Sequence, residues 1–294
     1  MISIHFTDFW EGHDPKNTIL TNILQDTYND KIIFAPTPKD ADINFVTIYG
    51  NKHQQILRDF DNTILWLGEN QRPNQYKCKF SISFDFHSFN NTNFRLPLWY
   101  SEIDWYGTGL GITDVETARR LLCDGFPITP EEFTDRKFCI TIFNNPEGTR
   151  IEMYKRLCDI EKVDGYGRPF GNWFPTYENY RDKIKKLAHY KFNLCPENSY
   201  YPGYYTEKCI HSKLAGCVPI YMADSHVKSD FRASSFLNIY DYKNLDALIE
   251  DINDLKDGDG WKIASEPLLN KMPSLEGIKQ FLLYATSQIL RAVA

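Results

Sequence analysis

Short apolar runs alternate with amphipathic stretches along most of the chain, and this alternation predicts layered α/β structure. In the first half, Ile2 to Phe6 reads as a strand and Asn17 to Tyr28 as a helix. Ile43 to Tyr49 reads as a second strand, followed by a helical stretch from His53 to Phe60. Thr63 to Leu67 is a third strand, running into Gly68-Glu69-Asn70, and Phe80 to Phe84 is a fourth. The pattern then breaks. Leu96 to Gly111 is aromatic and rich in glycine, and Asp124 to Asp135 is polar with two prolines, which reads as a linker.

The alternation restarts at Phe138 to Phe143, a strand, with a turn over Asn144 to Gly148 and a helix over Thr149 to Ile160. A helix near Tyr177 to Leu187 precedes a strand at Tyr190 to Leu194. Thr206 to Ala215 is helical and closes at Gly216. Val218 to Met222 and Phe236 to Tyr240 read as strands, Asn244 to Leu255 and Ser274 to Ala294 as helices. The expectation is two Rossmann-like domains facing a central cleft. Residues 1–130 form the first and 131–275 the second, with 276–294 a helix packing back on the first. Open α/β sheets bind ligands beyond the carboxyl ends of their strands. The polar tips at 8–11, 68–74, 144–150 and 196–208 are therefore the places to look. No repeat, heptad array or low-complexity tail is visible.

Composition narrows the chemistry. A chain of 294 residues holds one large domain or two ordinary ones. Aromatics make 15% of it, and rings fill cores as well as they stack on sugars or bases. Net charge is −6 with no Lys/Arg block, which argues against a nucleic-acid partner but leaves room for a basic pocket around one pyrophosphate. Seven cysteines without a C-x-x-C pair give no zinc spacing and fit a reducing cytoplasm. The N-terminus lacks the features of a secretory signal, and no apolar run is long enough to span a bilayer, so membrane contact is peripheral at most. Asp257-Gly258-Asp259 and Asp40-Ala41-Asp42 match an Asp-x-Asp metal motif, but read as turn and loop residues. No metal ion is required on this reading, and stimulation by Mg or Mn is left open.

The chemistry concentrates between Phe192 and Tyr221. An apolar strand ends at Cys195, a polar loop carries Glu197-Asn198-Ser199, and a helix starts at Thr206, placed here as its N-cap. Unpaired N–H groups and the helix dipole favour a phosphate at that end. Lys208 in the first turn is unfavourable for the helix alone and hints at an anionic partner, such as a diphosphate. Glu207 suits ribose hydroxyls, and Tyr204 suits a base or a phosphate. Arg168, in Asp164-Gly165-Tyr166-Gly167-Arg168, sits on a glycine-rich loop at the same edge. Trp10 and Glu11 follow the first strand, where a stacking tryptophan would border an acceptor sugar; a half-buried loop tryptophan is the alternative.

The runs Phe-Asn-Leu-Cys-Pro-Glu-Asn-Ser, Tyr-Tyr-Thr-Glu-Lys and Leu-Ala-Gly-Cys-Val-Pro-Ile-Tyr follow one another here. Ser235 to Ile239 follows them, and Gly68-Glu69-Asn70 with Pro73, Phe84-Asp85 and Arg95-Leu96-Pro97-Leu98 precede them. In this order the chain resembles the α1,3/4-fucosyltransferase family, over roughly Thr63 to Tyr242. The resemblance implies a GT-B fold and inverting transfer of L-fucose from GDP-fucose to a hydroxyl of N-acetylglucosamine or glucose in an acceptor oligosaccharide. It implies that Glu69 is the general base, that Arg150 holds the diphosphate, and that Asn198, Tyr204, Glu207 and Lys208 bind the donor, with Ser199 and Thr206 beside them. Pro196 replaces a frequent aromatic, and Met222-Ala223-Asp224 replaces a frequent Trp/Tyr-Gly turn; both bear on the sugar more than on the nucleotide. The alternatives are a transferase using another GDP-sugar and a noncatalytic glycan-binding protein. A Rossmann oxidoreductase would need a G-x-G-x-x-G that is missing.

Overall fold

The computed structural model describes residues 1–10, 12–29, 31–146, 148–172 and 180–293. The chain forms two compact units, residues 1–110 with 273–294, and residues 111–272.

The first unit is built on a six-stranded sheet. Its strands are β1 (Ile2–Thr7), β2 (Ile32–Phe34), β3 (Ile43–Val46), β4 (Thr63–Trp66), β5 (Phe80–Ser83) and β6 (Asn93–Arg95). They lie in the order β2-β1-β3-β4-β5-β6, and every pairing is parallel. A parallel sheet is covered on both faces, so its inner strands are apolar without alternation; β3, β4 and β5 are buried at every position. Helix α1 (Ile19–Thr27) and the C-terminal helix α10 (Glu276–Val293) cover one face, joining Ile4, Phe45, Ile64 and Ile82 in one core. Helix α2 (His53–Asp59) covers the other, over Val46, Leu65 and Leu67. Helix α1 begins at Ile19, not Asn17, because the Thr18 hydroxyl accepts the Thr21 N–H at 2.9 Å and fixes the start there.

The second unit carries a five-stranded sheet. Its strands are β7 (Lys137–Ile142), β8 (Val163–Tyr166), β9 (Tyr190–Leu194), β10 (Val218–Tyr221) and β11 (Leu237–Asn238), in the order β8-β7-β9-β10-β11 and again all parallel. The helices of this unit are α3 (Val115–Ala118), α4 (Pro130–Thr134), α5 (Thr149–Cys158), α6 (Tyr180–Leu187), α7 (Glu207–Leu214), α8 (Leu245–Leu255) and α9 (Gly260–Ser265). In each sheet the chain steps to one side and then crosses to the other. This places a topological switch between β1 and β3 in one unit and between β7 and β9 in the other, the position at which open α/β sheets take up ligands.

Two further expectations change, and a third is seen only in part. The polar stretch read as a linker is folded into the second unit: Thr129 and Glu132 make a capping box for α4, and Phe133 is buried in the core, so the boundary falls near residue 110 and not 130. The expected strand over Phe236 to Tyr240 shrinks to two residues. The Asn238 amide bonds both Ala223 backbone groups and Asp241, turning the chain into a 3-10 turn over Ile239–Asp241. The helix near Tyr177 is seen from Tyr180 onward; residues 177–179 lie outside the described residues.

Candidate functional site

At the carboxyl end of β9 the chain runs through Pro196 and Glu197 and returns as α7. Glu197 is only 2% exposed. A buried carboxylate is costly unless paired and hydrogen-bonded, and here both hold. It accepts the Thr206 N–H at 2.8 Å, the Thr206 hydroxyl at 2.7 Å, the Lys208 ammonium at 2.9 Å, and the hydroxyl of Tyr221 at the end of β10. Lys208 also donates to the Thr206 hydroxyl at 2.7 Å and lies 3.3 Å from Glu207, which in turn lies 4.0 Å from Lys183 of α6. Burial opposes the charge on Lys208, but Glu197 and then Glu207 outweigh it and push its pKa up. Burial likewise opposes ionisation of Glu207, yet Lys208 and Lys183 hold its carboxyl well below the usual range. Lys208 and Glu207 therefore both stay charged through neutral pH.

This corrects one expectation and supplies a partner for another residue. Thr206 occupies the N-cap position but makes no side-chain cap bond, because its hydroxyl is committed to Glu197. The anionic partner that Lys208 calls for is present within the chain, as Glu197. Sequence reading does not single out Glu197, Tyr221 or Lys183 as site residues, since their roles depend on three separate elements meeting.

Arg150 crosses the switch point. It lies in the first turn of α5, only 3% exposed, and donates to the Asn145 carbonyl at 3.1 Å and the Pro196 carbonyl at 2.7 Å. The loop after β7 is thereby tied to the loop after β9. Its guanidinium lies 5.2 Å from the Phe143 ring, and its buried Nε has no hydrogen-bond partner among the described residues. Burial lowers its pKa against the pull of Glu197, and a guanidinium remains charged regardless. The β8 loop meets the same edge: the Arg168 N–H donates to the Asn144 side chain at 3.1 Å. Gly167 between them has φ 111°, and a Cβ there would lie 2.1 Å from the Phe143 carbonyl oxygen. The Arg168 side chain is exposed. Asn198 is exposed, Ser199 half-buried and Tyr204 buried. The structure thus gathers Arg150, Arg168, Asn198, Ser199, Tyr204, Thr206, Glu207 and Lys208 along one edge of the second unit.

Glu69 lies in the first unit, half-buried just past β4. The Tyr49 hydroxyl donates to its carboxylate at 3.4 Å. Burial of this phenol, and then the Glu69 charge, raise its pKa, so it remains a donor. The adjoining Asn70 accepts from Arg72, whose guanidinium lies 3.6 Å from Asp85 and 4.3 Å over the Phe84 ring. Trp10 is 43% exposed and meets Tyr49 edge-on at 6.1 Å and Trp66 at 6.0 Å. Glu11 lies outside the described residues. His13 stacks on Phe9 at 4.2 Å, and burial lowers its pKa to about 4. Asp257 pairs with Lys256 and Lys191, and Asp259 with Lys262, so both carboxylates of this Asp-x-Asp run serve the turn between α8 and α9. Among the described residues no group of three or more His, Cys, Asp or Glu side chains is placed to hold a metal.

Residues 4–101 match the model of the α-(1,3)-fucosyltransferase FucT N-terminal domain, and residues 135–260 match that of the glycosyltransferase family 10 (fucosyltransferase) C-terminal region. The chain is 28% identical over 272 residues to the α-(1,3)-fucosyltransferase FucT of Helicobacter pylori, covering 85% of this chain and 56% of that protein. It is 32% identical over 113 residues to human 4-galactosyl-N-acetylglucosaminide 3-α-L-fucosyltransferase 9, covering 37% of this chain and 30% of that one. The chain therefore spans about half, or less, of the length of these relatives. A crystal structure of an α1,3-fucosyltransferase superposes with a TM-score of 0.73 at 25% identity, over 99% of this chain and 90% of the other. One with GDP-fucose bound gives 0.69 at 25% identity, over 98% and 90%. The fold is that of the GT-B glycosyltransferases, and the chain belongs to the α1,3-fucosyltransferases of glycosyltransferase family 10.

Proposed function

We propose that this chain is an inverting α1,3-fucosyltransferase that moves L-fucose from GDP-fucose to a hydroxyl of N-acetylglucosamine or glucose in an acceptor oligosaccharide. The observation that carries the reading is the charged edge at the β7–β9 switch, where Arg150 and Lys208 are held in place by carbonyls and by Glu197. The related structure that holds GDP-fucose supports the choice of donor. In this reading the diphosphate lies against Arg150 and Lys208 at the start of α7, with Arg168 reaching the same group. Asn198, Ser199, Tyr204, Thr206 and Glu207 meet the rest of the donor. Glu69 removes the proton from the acceptor hydroxyl, whose oxygen forms a bond to fucose C1 as the bond from C1 to the diphosphate oxygen breaks. The electron pair leaves with GDP, and Arg150 and Lys208 stabilise the growing negative charge. Trp10 and Glu11 border the acceptor.

A cytoplasmic location belongs to this proposal, with membrane contact peripheral at most; all seven cysteines are free thiols, which suits a reducing compartment. Among the described residues no helix is long and apolar enough to cross a membrane. The decisive experiment incubates the protein with GDP-fucose and N-acetyllactosamine, with and without EDTA, and assigns the product linkage by NMR. Stabilisation by GDP but not UDP is expected alongside. Transfer from a different GDP-sugar and none from GDP-fucose would sink the proposal.

A further inference from the structure

The register of the first sheet sets several strand exits level. Thr7 pairs with Val46, Val46 with Leu65, and Trp66 with Ile82. Trp10 follows β1, Tyr49 follows β3, Glu69 follows β4 and Phe86 follows β5, each a few residues beyond its paired position. They form a row along the carboxyl edge of four neighbouring strands, roughly 15 Å from end to end at about 4.8 Å per strand. The three rings in this row are exposed, Trp10 and Tyr49 by 43% and Phe86 by 40%. Trp66 and Phe84, just inside the same strand ends, are buried. The rings lie on both sides of Glu69: Trp10 and Tyr49 toward β1 and β3, Phe86 toward β5.

Phe86 is also held still. The Asp85 carboxylate accepts the His87 N–H at 3.0 Å, and the Asn93 amide donates to the carbonyls of Asp85 at 3.3 Å and His87 at 3.0 Å. Both neighbours of Phe86 are thus tied to β6. Arg95, bonded through Nε to the Phe84 carbonyl at 3.1 Å, lies 4.1 Å from the centre of the Phe86 ring. One face of the ring is backed by a guanidinium, and the ring still meets solvent. A ring held in place and 40% exposed is suited to the C–H face of a pyranose, with polar groups beside it for the hydroxyls.

We propose that Phe86, backed by Arg95, is a second carbohydrate-stacking subsite on the β5 side of Glu69, so that the acceptor is an oligosaccharide lying along this edge and touching rings on both sides of the base. The inference rests on the reading of Glu69 as the base that faces the reacting hydroxyl. Its test uses the full chain with Phe86 intact, F86A and F86W. Binding of a neutral tetrasaccharide ending in N-acetyllactosamine, and of N-acetylglucosamine methyl glycoside, is titrated by NMR in the presence of GDP. Fucose transfer to both sugars is measured in parallel. F86A should weaken tetrasaccharide binding and raise its KM about tenfold, leave the monosaccharide within twofold, and leave GDP affinity unchanged; F86W should restore the tetrasaccharide. Equal loss for both sugars, no loss for either, or a wild-type chain that binds no tetrasaccharide overturns the subsite. Phe86-dependent tetrasaccharide binding without fucose transfer would retain the subsite and reject the transferase reading. Transfer that F86A leaves untouched does the reverse.

Discussion

A lysine in the first turn of a helix faces the positive end of the helix dipole, and Lys208 is held there by a carboxylate reaching in from the preceding loop. Glu197 is thus a positioning residue: it fixes the cation, the first N–H of the helix and Tyr221 with one buried group. E197A breaks a buried ion pair and should cost about 3–5 kcal/mol in urea unfolding, with GDP affinity falling alongside. E197Q keeps acceptors for Tyr221 and Thr206 and should lose less stability while still weakening GDP. Equal losses from the two variants would mean that the hydrogen-bond acceptors of Glu197 contribute nothing beyond its charge, and a wild-type E197Q would mean that the charge is irrelevant. Glu69 sits in a lighter network, with Tyr49 at 3.4 Å. E69Q preserves that contact and removes only the proposed base. Its kcat should fall by about 10²–10⁴ with the GDP-fucose KM unchanged, and a wild-type kcat in E69Q would take Glu69 out of the reaction.

At the scale of elements, α7 does two things at its two ends. Its start carries the charges of Glu207 and Lys208 that are proposed to meet the donor; near its end, fully buried Lys213 donates to the carbonyls of Ile263 at 2.7 Å and Ala264 at 2.8 Å, pinning α9. Burial lowers the Lys213 pKa from 10.5 to about 7. Between these values the unfolded chain binds more protons than the native one, so this group makes stability rise with pH. Relative to K213M, the wild-type chain should gain about 1–2 kcal/mol between pH 7 and 8.5; parallel stability curves for the two proteins would refute the shift. The sequence made the central strands legible because strands buried on both faces carry unbroken apolar runs, as Ile43–Val46 and Thr63–Trp66 do. It failed at the sheet edges. β2, β6 and β8 went unseen and β11 was overdrawn, and all four are edge strands. An edge strand has a single partner and less burial, so three residues, or a Val-Asp-Gly-Tyr run, suffice and leave little pattern. The strand, loop and helix from Phe192 to Ala215 were legible as one unit because their residues are contiguous. Thr206 was misjudged as a cap because capping rules see only near neighbours, and Glu197 competes from nine residues upstream.

For the whole molecule, chain order and spatial order differ. The chain completes the second unit at Met272, and α10 then joins the first. Leu275, Ile278, Phe281, Leu282, Ala285 and Ile289 bury against Ile4, Ile19 and Ile23, while Thr286 meets the Tyr28 hydroxyl and Lys279 pairs with Asp26. The first unit, which carries Glu69 and the row of exposed rings, therefore owes part of its core to residues that follow the second unit in the chain. The second unit is one continuous stretch, and among the described residues its clusters around Phe192 and Ile140 contain no residue of α10. Leu282, with no exposed surface, is the sharpest probe of this arrangement. L282A should cost about 2–5 kcal/mol, and the loss should be local: amide exchange should quicken in α1 and β1 while β9 and α7 keep their protection. GDP affinity should stay within twofold of wild type, because every residue assigned to the donor lies in the second unit. Ending the chain at Met272 carries the same argument further. It should bare an apolar face that binds ANS and abolish transfer, yet leave GDP binding in place. Uniformly faster exchange in both sheets of L282A would show instead that the two units unfold as one.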